Sequence, residues 1–190
     1  MTNLTLESTP TGNTTSDSER QIVALHLGDE VYGIDIAHIH TIIVPQPITH
    51  VPKAPDFVKG VMNLRGRIIP VIDLRERFSM PQLSEERQKS ARIVIVDVEG
   101  LTAGLIVDGV SEVLRLPKSA IQPPSQLVAS VETECITGIG RVEVQSSQRN
   151  IHGHADAEPK STEQLIILLD IHKTLTITAR DAVALTAKAA

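Results

Sequence analysis

Residues 60–74 read GVMNLRGRIIPVIDL, an apolar run broken at its centre by Arg65-Gly66-Arg67. Charged side chains are seldom fully buried without a partner, so the arginines need a place outside any core. A two-residue turn supplies one. Gly66 permits the positive φ that such a turn commonly requires. Val61–Leu64 then pairs with Ile68–Ile72 as a hairpin whose tip carries Arg65. An arginine beside apolar strands suits a protein interface, because the guanidinium combines charge, planarity and stacking. The same position also suits a solubilising turn residue.

The grammar of that hairpin recurs. QIVALHL, Gly28-Asp29 and EVYGIDI read as a second hairpin, and RIVIVDV, Glu99-Gly100 and LTAGLIVDGV as a third. Short apolar runs separated by turn residues point to a barrel or sandwich. The chain also carries an internal repeat. IIPVIDLRERF (68–78) lies over LIILLDIHKTL (165–175), YGIDIAHI (32–39) over AGLIVDGVSEV (103–113), and GVMNLRG (60–66) over TGIGRVE (137–143). Two related β units in tandem, at about 20–90 and 91–176, account for this. Neither is large enough to be robust alone, so they should pack together and can exchange strands.

Around these units the texture changes. Residues 1–19 are rich in Thr, Ser, Asn, Gly and Pro and read as a disordered tail. The connection matching the Arg65-Gly66 turn in the second unit is a stretch of loop composition, taken as a long loop over 143–164. The C-terminal residues 177–190 hold good helix formers and read as a short helix.

Composition narrows the function. The chain of 190 residues is 41% hydrophobic and 22% charged, ordinary for a globular protein, with a formal net charge of −5. That charge, with Tyr32, Phe57 and Phe78 as the only aromatics, argues against nucleic-acid binding. No apolar run is long enough to span a bilayer, and no secretory signal opens the chain. Cys135 is the single cysteine, which excludes an internal disulfide framework and suits a reducing cytoplasm.

No catalytic constellation emerges. Asp35, Asp73, Asp108 and Asp170 each follow an apolar strand, where an aspartate ordinarily caps the next turn or helix. His38 with His40, and His152 with His154, have the i, i+2 spacing of metal ligands, but no third ligand stands at a recognisable spacing. Cys135 follows Glu134, and an acidic neighbour raises a thiol's pKa and opposes reactivity. The expectation is a protein without catalytic activity, cofactor or metal.

With these residues in view, the sequence resembles the CheW family, the coupling proteins of bacterial chemotaxis. GVMNLRGRIIPVIDLRERF resembles that family's signature, and LGDEVYGIDIAHI, PKAPDFVKG, LIVDGVSEVLRL, CITGIGRV and LIILLDIHKTL resemble its other blocks in the same order. The resemblance covers about residues 20–175. It implies a mainly β fold of two SH3-like five-stranded β-barrels around a shared core. It implies an adaptor that links the cytoplasmic tip of chemoreceptors to the regulatory domain of the histidine kinase CheA, in the cytoplasm at membrane-associated receptor arrays. It further implies receptor contact through Arg65 and through apolar residues between the barrels, here Ile36, Ile39 and Val113; it names no kinase-binding residue. Thr41 stands where the family commonly has Glu. With the long loop and tail, this admits an adaptor of a related pathway such as pilus-driven twitching. A small-ligand-binding barrel would need a roomy cavity, which runs of Ile, Val and Leu do not suggest.

Overall fold

Glycine occupies each of the three tight turns marked by the sequence, with φ of +64° at Gly28, +86° at Gly66 and +84° at Gly100. The computed structural model describes residues 19–81, 89–124, 133–145 and 161–176. Residues 1–18 of the tail expected over 1–19 and the helix expected over 177–190 lie outside these residues.

In chain order, β1 (Arg20–Leu27) turns into β2 (Glu30–Asp35). A 3-10 turn (Ile36–His38) leads to β3 (Ile39–Ile43), and the hairpin of β4 (Val58–Leu64) and β5 (Arg67–Asp73) follows. A single helical turn, α1 (Leu74–Arg77), precedes the hairpin of β6 (Arg92–Val98) and β7 (Leu101–Val107). Then come β8 (Gly109–Leu116), β9 (Ile121–Gln122), β10 (Ile136–Gln145), β11 (Ser161–Leu169) and a helix, α2, over 171–176. The ends of the loop expected over 143–164 are strand instead: β10 and β11 pair out to Gln145 and Ser161, and residues 146–160 lie outside the described ones.

The strands form two sheets, in the orders β8-β1-β2-β11-β10-β9 and β3-β6-β7-β5-β4. The mainly β architecture expected from the resemblance is present, with β9 as a two-residue addition to one sheet. The sheets are not the tandem halves of the sequence. The β1–β2 hairpin joins strands β8 to β11, while the β6–β7 hairpin joins β3, β4 and β5. Each unit thus lends its first hairpin to the other. The repeat explains how both fit: it matches Gly33 with Gly104 and Val71 with Leu168, and the parallel ladders pair Leu168 with Gly33 and Val71 with Gly104. One part of the repeat is out by a residue. Gly60 opposes Val71 and Gly138 opposes Leu168, so Gly60 matches Gly138 rather than Thr137. A register shift in both strands conceals the match.

Each sheet curls into a barrel because the chain returns to its far edge. After β3, Thr49 exchanges both backbone hydrogen bonds with Val61 of β4 (2.8 and 2.9 Å). After β8, β9 pairs with Ile139 and Gly140 of β10. The first barrel encloses Ile22, Ala24, Val31, Leu116, Ile166 and Leu168. The second encloses Met62, Ile69, Val71, Ile93 and Ile95. Between the barrels lies a larger shared core, with Val23, Leu25 and Leu27 from β1 facing Val94, Val96 and Val98 from β6. Strands β1 and β6 are buried on both faces, which is why they read as continuous apolar runs rather than alternating ones.

Aspartates set the exits of three strands, as their positions suggested. Asp35 accepts from the Ala37 amide (3.1 Å), Asp73 from those of Arg75 (2.9 Å) and Glu76 (3.4 Å), and Asp170 from that of Lys173 (3.0 Å). Asp108 does otherwise. Its Oδ2 accepts from the distant Gly28 amide (2.6 Å) and pairs with the Arg75 guanidinium, with side-chain exposures of 7% and 11%.

Two tests follow from this framework. A Cβ on Gly60 would lie 2.0 Å from the Thr49 carbonyl oxygen at a φ of +138°. Gly60→Ala should therefore cost about 2–4 kcal/mol, against about 1 kcal/mol for Gly100→Ala, where the same atom meets nothing within 4 Å; equal urea midpoints for the two variants would refute the closure argument. Burial raises the Asp73 pKa above its ordinary value, more than its helix-capping amides lower it. A carboxyl whose folded pKa is raised gains stability for the fold as pH falls through the window just above the ordinary carboxylate range, and loses it again at neutral pH. Asn caps as well as Asp, so Asp73→Asn should be at least as stable as the parent at neutral pH, and that advantage should shrink in mild acid, as read from urea midpoints at both pH values.

Candidate protein-docking surface

The Arg65-Gly66 turn has φ of +52° and +86°, the two positive angles of a type I′ turn, whose twist matches the flanking strands. Asn63 Oδ1 accepts from the Gly66 amide at 2.8 Å and fastens the tip. Arg65 and Arg67 are exposed, while Leu64 packs into the second barrel. The guanidinium groups in the middle of the apolar run therefore stand in solvent, and the apolar side chains lie behind them.

Not every apolar residue of the run lies behind them. Ile69 and Val71 enter the barrel, but Ile68 is 74% exposed. The offset of β5 against β7, Val71 with Gly104 and Ile72 with Leu105, carried back along both strands brings Ile68 level with Leu101. Ile72 and Leu105 face the shared core. Ile68 and Leu101, four residues earlier on their strands, share that face but lack its cover; Leu101 is 54% exposed. Leu101 pairs in turn with Val98 of β6. Since Ile39 pairs with Val96, the turn before it runs toward Val98 and packs on β6. Ile36, Leu101, Ile68 and the Arg65 tip thus follow one another across one end of the second barrel.

The four residues named by the resemblance are not all neighbours. Ile36 is exposed and shares this end with Arg65, while Ile39 is half-buried against the shared core. Val113 stands on the other barrel. It pairs with Val23, so it shares the face that meets the shared core, yet is 51% exposed at the margin. By the repeat its counterpart is Ile42, which pairs with Val94 and is also exposed. Ile42, Ile68 and Leu101 were missed in the sequence. A strand with apolar residues on both faces does not say which of them stays uncovered. The signal for Ile68 was its place directly after the Arg-Gly-Arg turn.

The other candidate groups do not converge. The four aspartates are occupied as described above. His38 belongs to the 3-10 turn and His40 to β3, so the pair does not share one strand. Among the described residues no group of three or more His, Cys, Asp or Glu side chains is arranged to hold a metal ion; His152 and His154 lie outside them. Cys135 is fully buried, and burial, more than Glu134, raises its thiol pKa. The barrel interiors are filled by side chains, and an open cleft of about 640 Å³ lies instead on the surface beside His50, Asp56, Lys59 and Glu76. No helix among the described residues is long and apolar enough to cross a membrane.

Comparison with known proteins agrees with this architecture. The family model of the CheW-like domain matches residues 21–179. The chemotaxis protein CheW of Klebsiella aerogenes is 33% identical over 156 residues, covering 82% of this chain and 81% of the relative. That of Treponema pallidum is 32% identical over 160 residues, covering 83% of each. The crystal structure of the scaffolding protein TtCheW from Thermoanaerobacter tengcongensis superposes with a TM-score of 0.64 at 35% identity, covering 80% of this chain and 90% of the other. The two curled sheets, the shared core and the match along nearly all of the described chain lead to one assignment: the chain belongs to the CheW-like family of chemotaxis scaffold and adaptor proteins.

Proposed function

We propose that this protein couples the cytoplasmic tip of a chemoreceptor to the regulatory domain of the kinase CheA without catalysing a reaction, and that the receptor meets the end of the second barrel carrying Arg65. The observation that carries this reading is the exposed stripe of Ile36, Leu101 and Ile68 ending in the Arg65 tip. An apolar strip with an arginine at its margin suits the side of an amphipathic helical hairpin. Ile39 supports the strip from below, and Val113 extends the apolar margin onto the first barrel. The kinase domain would engage a different surface, so one chain could hold both partners at once. Joining two modest contacts in this way raises the effective concentration of each partner for the other. Such a protein works in the cytoplasm, drawn to the membrane by its receptors.

Arg65 tests the proposal because it sits at a turn in solvent. Arg65→Glu should change folding stability by no more than about 0.5 kcal/mol. It should weaken binding to a receptor tip by about 1–3 kcal/mol, roughly tenfold or more. Ile68→Asp should act in the same direction, and neither should greatly change binding to the kinase regulatory domain. Titration calorimetry with each isolated partner gives the answer; receptor binding that survives both substitutions moves the contact elsewhere.

A further inference from the structure

The chain crosses from the first sheet to the second through Asp35 and the 3-10 turn Ile36–His38. No residue of that turn is buried, so no apolar anchor within it fixes its direction. The Ile39 amide donates to the Ile36 carbonyl and closes the turn; the side chains that hold it lie at its start. Asp35 Oδ1 accepts from the Ala37 amide at 3.1 Å. Asp35 Oδ2 accepts from Arg20 Nε at 3.2 Å and from Arg20 Nη2 at 3.1 Å. One carboxylate therefore holds the turn with one oxygen and a guanidinium with the other. Arg20 is the first residue of β1, and its backbone is paired with Leu116 of β8, so it brings the rigidity of a central strand to the crossover.

We propose that Arg20 and Asp35 are positioning residues for the docking surface: together they orient the crossover so that Ile36 faces outward and Ile39 faces the shared core. This rests on the reading of Ile36 as part of the receptor contact. The pair is half-exposed, with side-chain exposures of 34% and 24%, and ion pairs in such surroundings add little to folding stability. What it supplies is a turn already ordered before a partner arrives, so less freedom is lost on binding.

The prediction is a separation of affinity from stability. Arg20→Met keeps the apolar stem and removes the guanidinium. Asp35→Ser keeps a cap for Ala37 and removes the charge. Each should lower receptor-tip affinity about 3–10-fold while leaving the urea midpoint within error of the parent. The double variant should bind no more weakly than either single one, because the two residues act as a unit. Arg20→Lys should recover part of the loss. Parent-like affinity in either single variant, or full additivity in the double, overturns the positioning role. Ile36→Asp, measured alongside, separates the two claims. If it weakens binding while Arg20→Met does not, the surface stands and the positioning role falls; if it too binds like the parent, the assignment of this surface falls as well.

Discussion

A single carboxylate oxygen holds three distant parts of this protein together. Asp108 lies where the chain passes back from the second sheet to the first, and its Oδ2 binds the Gly28 amide in the β1–β2 turn and the Arg75 guanidinium on α1. Arg75 also donates through Nε to the Pro81 carbonyl at 2.9 Å. Next to it, Phe78 stacks on Tyr32 with centroids 5.6 Å apart, and Arg77 lies over the Phe57 ring at 5.3 Å. The shared apolar core is larger, but burial of apolar surface is not directional. The hydrogen-bonded crossover adds a directional contact between the barrels. Removing one partner from so buried a pair costs about 3–5 kcal/mol, since the other is left charged and uncompensated.

The internal repeat makes this clamp more informative. Its alignment matches Arg75 with His172, and His172 Nε2 lies 3.3 Å from Glu99 Oε2 at the β6–β7 turn. The helix after the last strand of each repeat unit thus reaches the hairpin which that unit lends to the other sheet, α1 through Asp108 and α2 directly. The two copies have diverged in strength: the Arg75 contact is nearly excluded from solvent, while the His172 contact is open to it. The barrels are held firmly at one crossing and loosely at the other.

What could be read from the sequence was what local chemistry determines. Glycine turns, aspartate caps and the Arg65 tip were legible because each depends on residues within a few positions of one another. The repeat was legible because it preserves Gly33 and Gly104, where a Cβ would press on Ile22 or Ile93. Which sheet each hairpin joins was not, because exchanged and unexchanged hairpins bury the same apolar residues. The closing segments were also hidden: Thr49 and Ile121–Gln122 are too short to carry a strand pattern. Asp108 resembled the other aspartates until the fold brought Gly28, 80 residues away in sequence, to its side chain. At the proposed docking surface Arg65 stood out, whereas Ile68 and Leu101 were indistinguishable from core residues.

The closures at Thr49 and at β9 also bear on how such a protein survives in an assembly. At a receptor array of the kind proposed above, the protein would meet many copies of itself and its partners at close range. Open sheet edges there would invite strand addition, an association that ignores side chains and has no natural end. Here the same segment that forms one edge returns to cover the other, and the outer strands β3 and β8 each take a register shift against their neighbours. Bulges of this kind bend a strand away from flat pairing. With β4 met by Thr49 and the outer strands bent, contact between molecules falls more to side chains on the barrel surfaces, which evolution can alter one at a time. A barrel covered in this way favours the contacts its surfaces encode over strand addition.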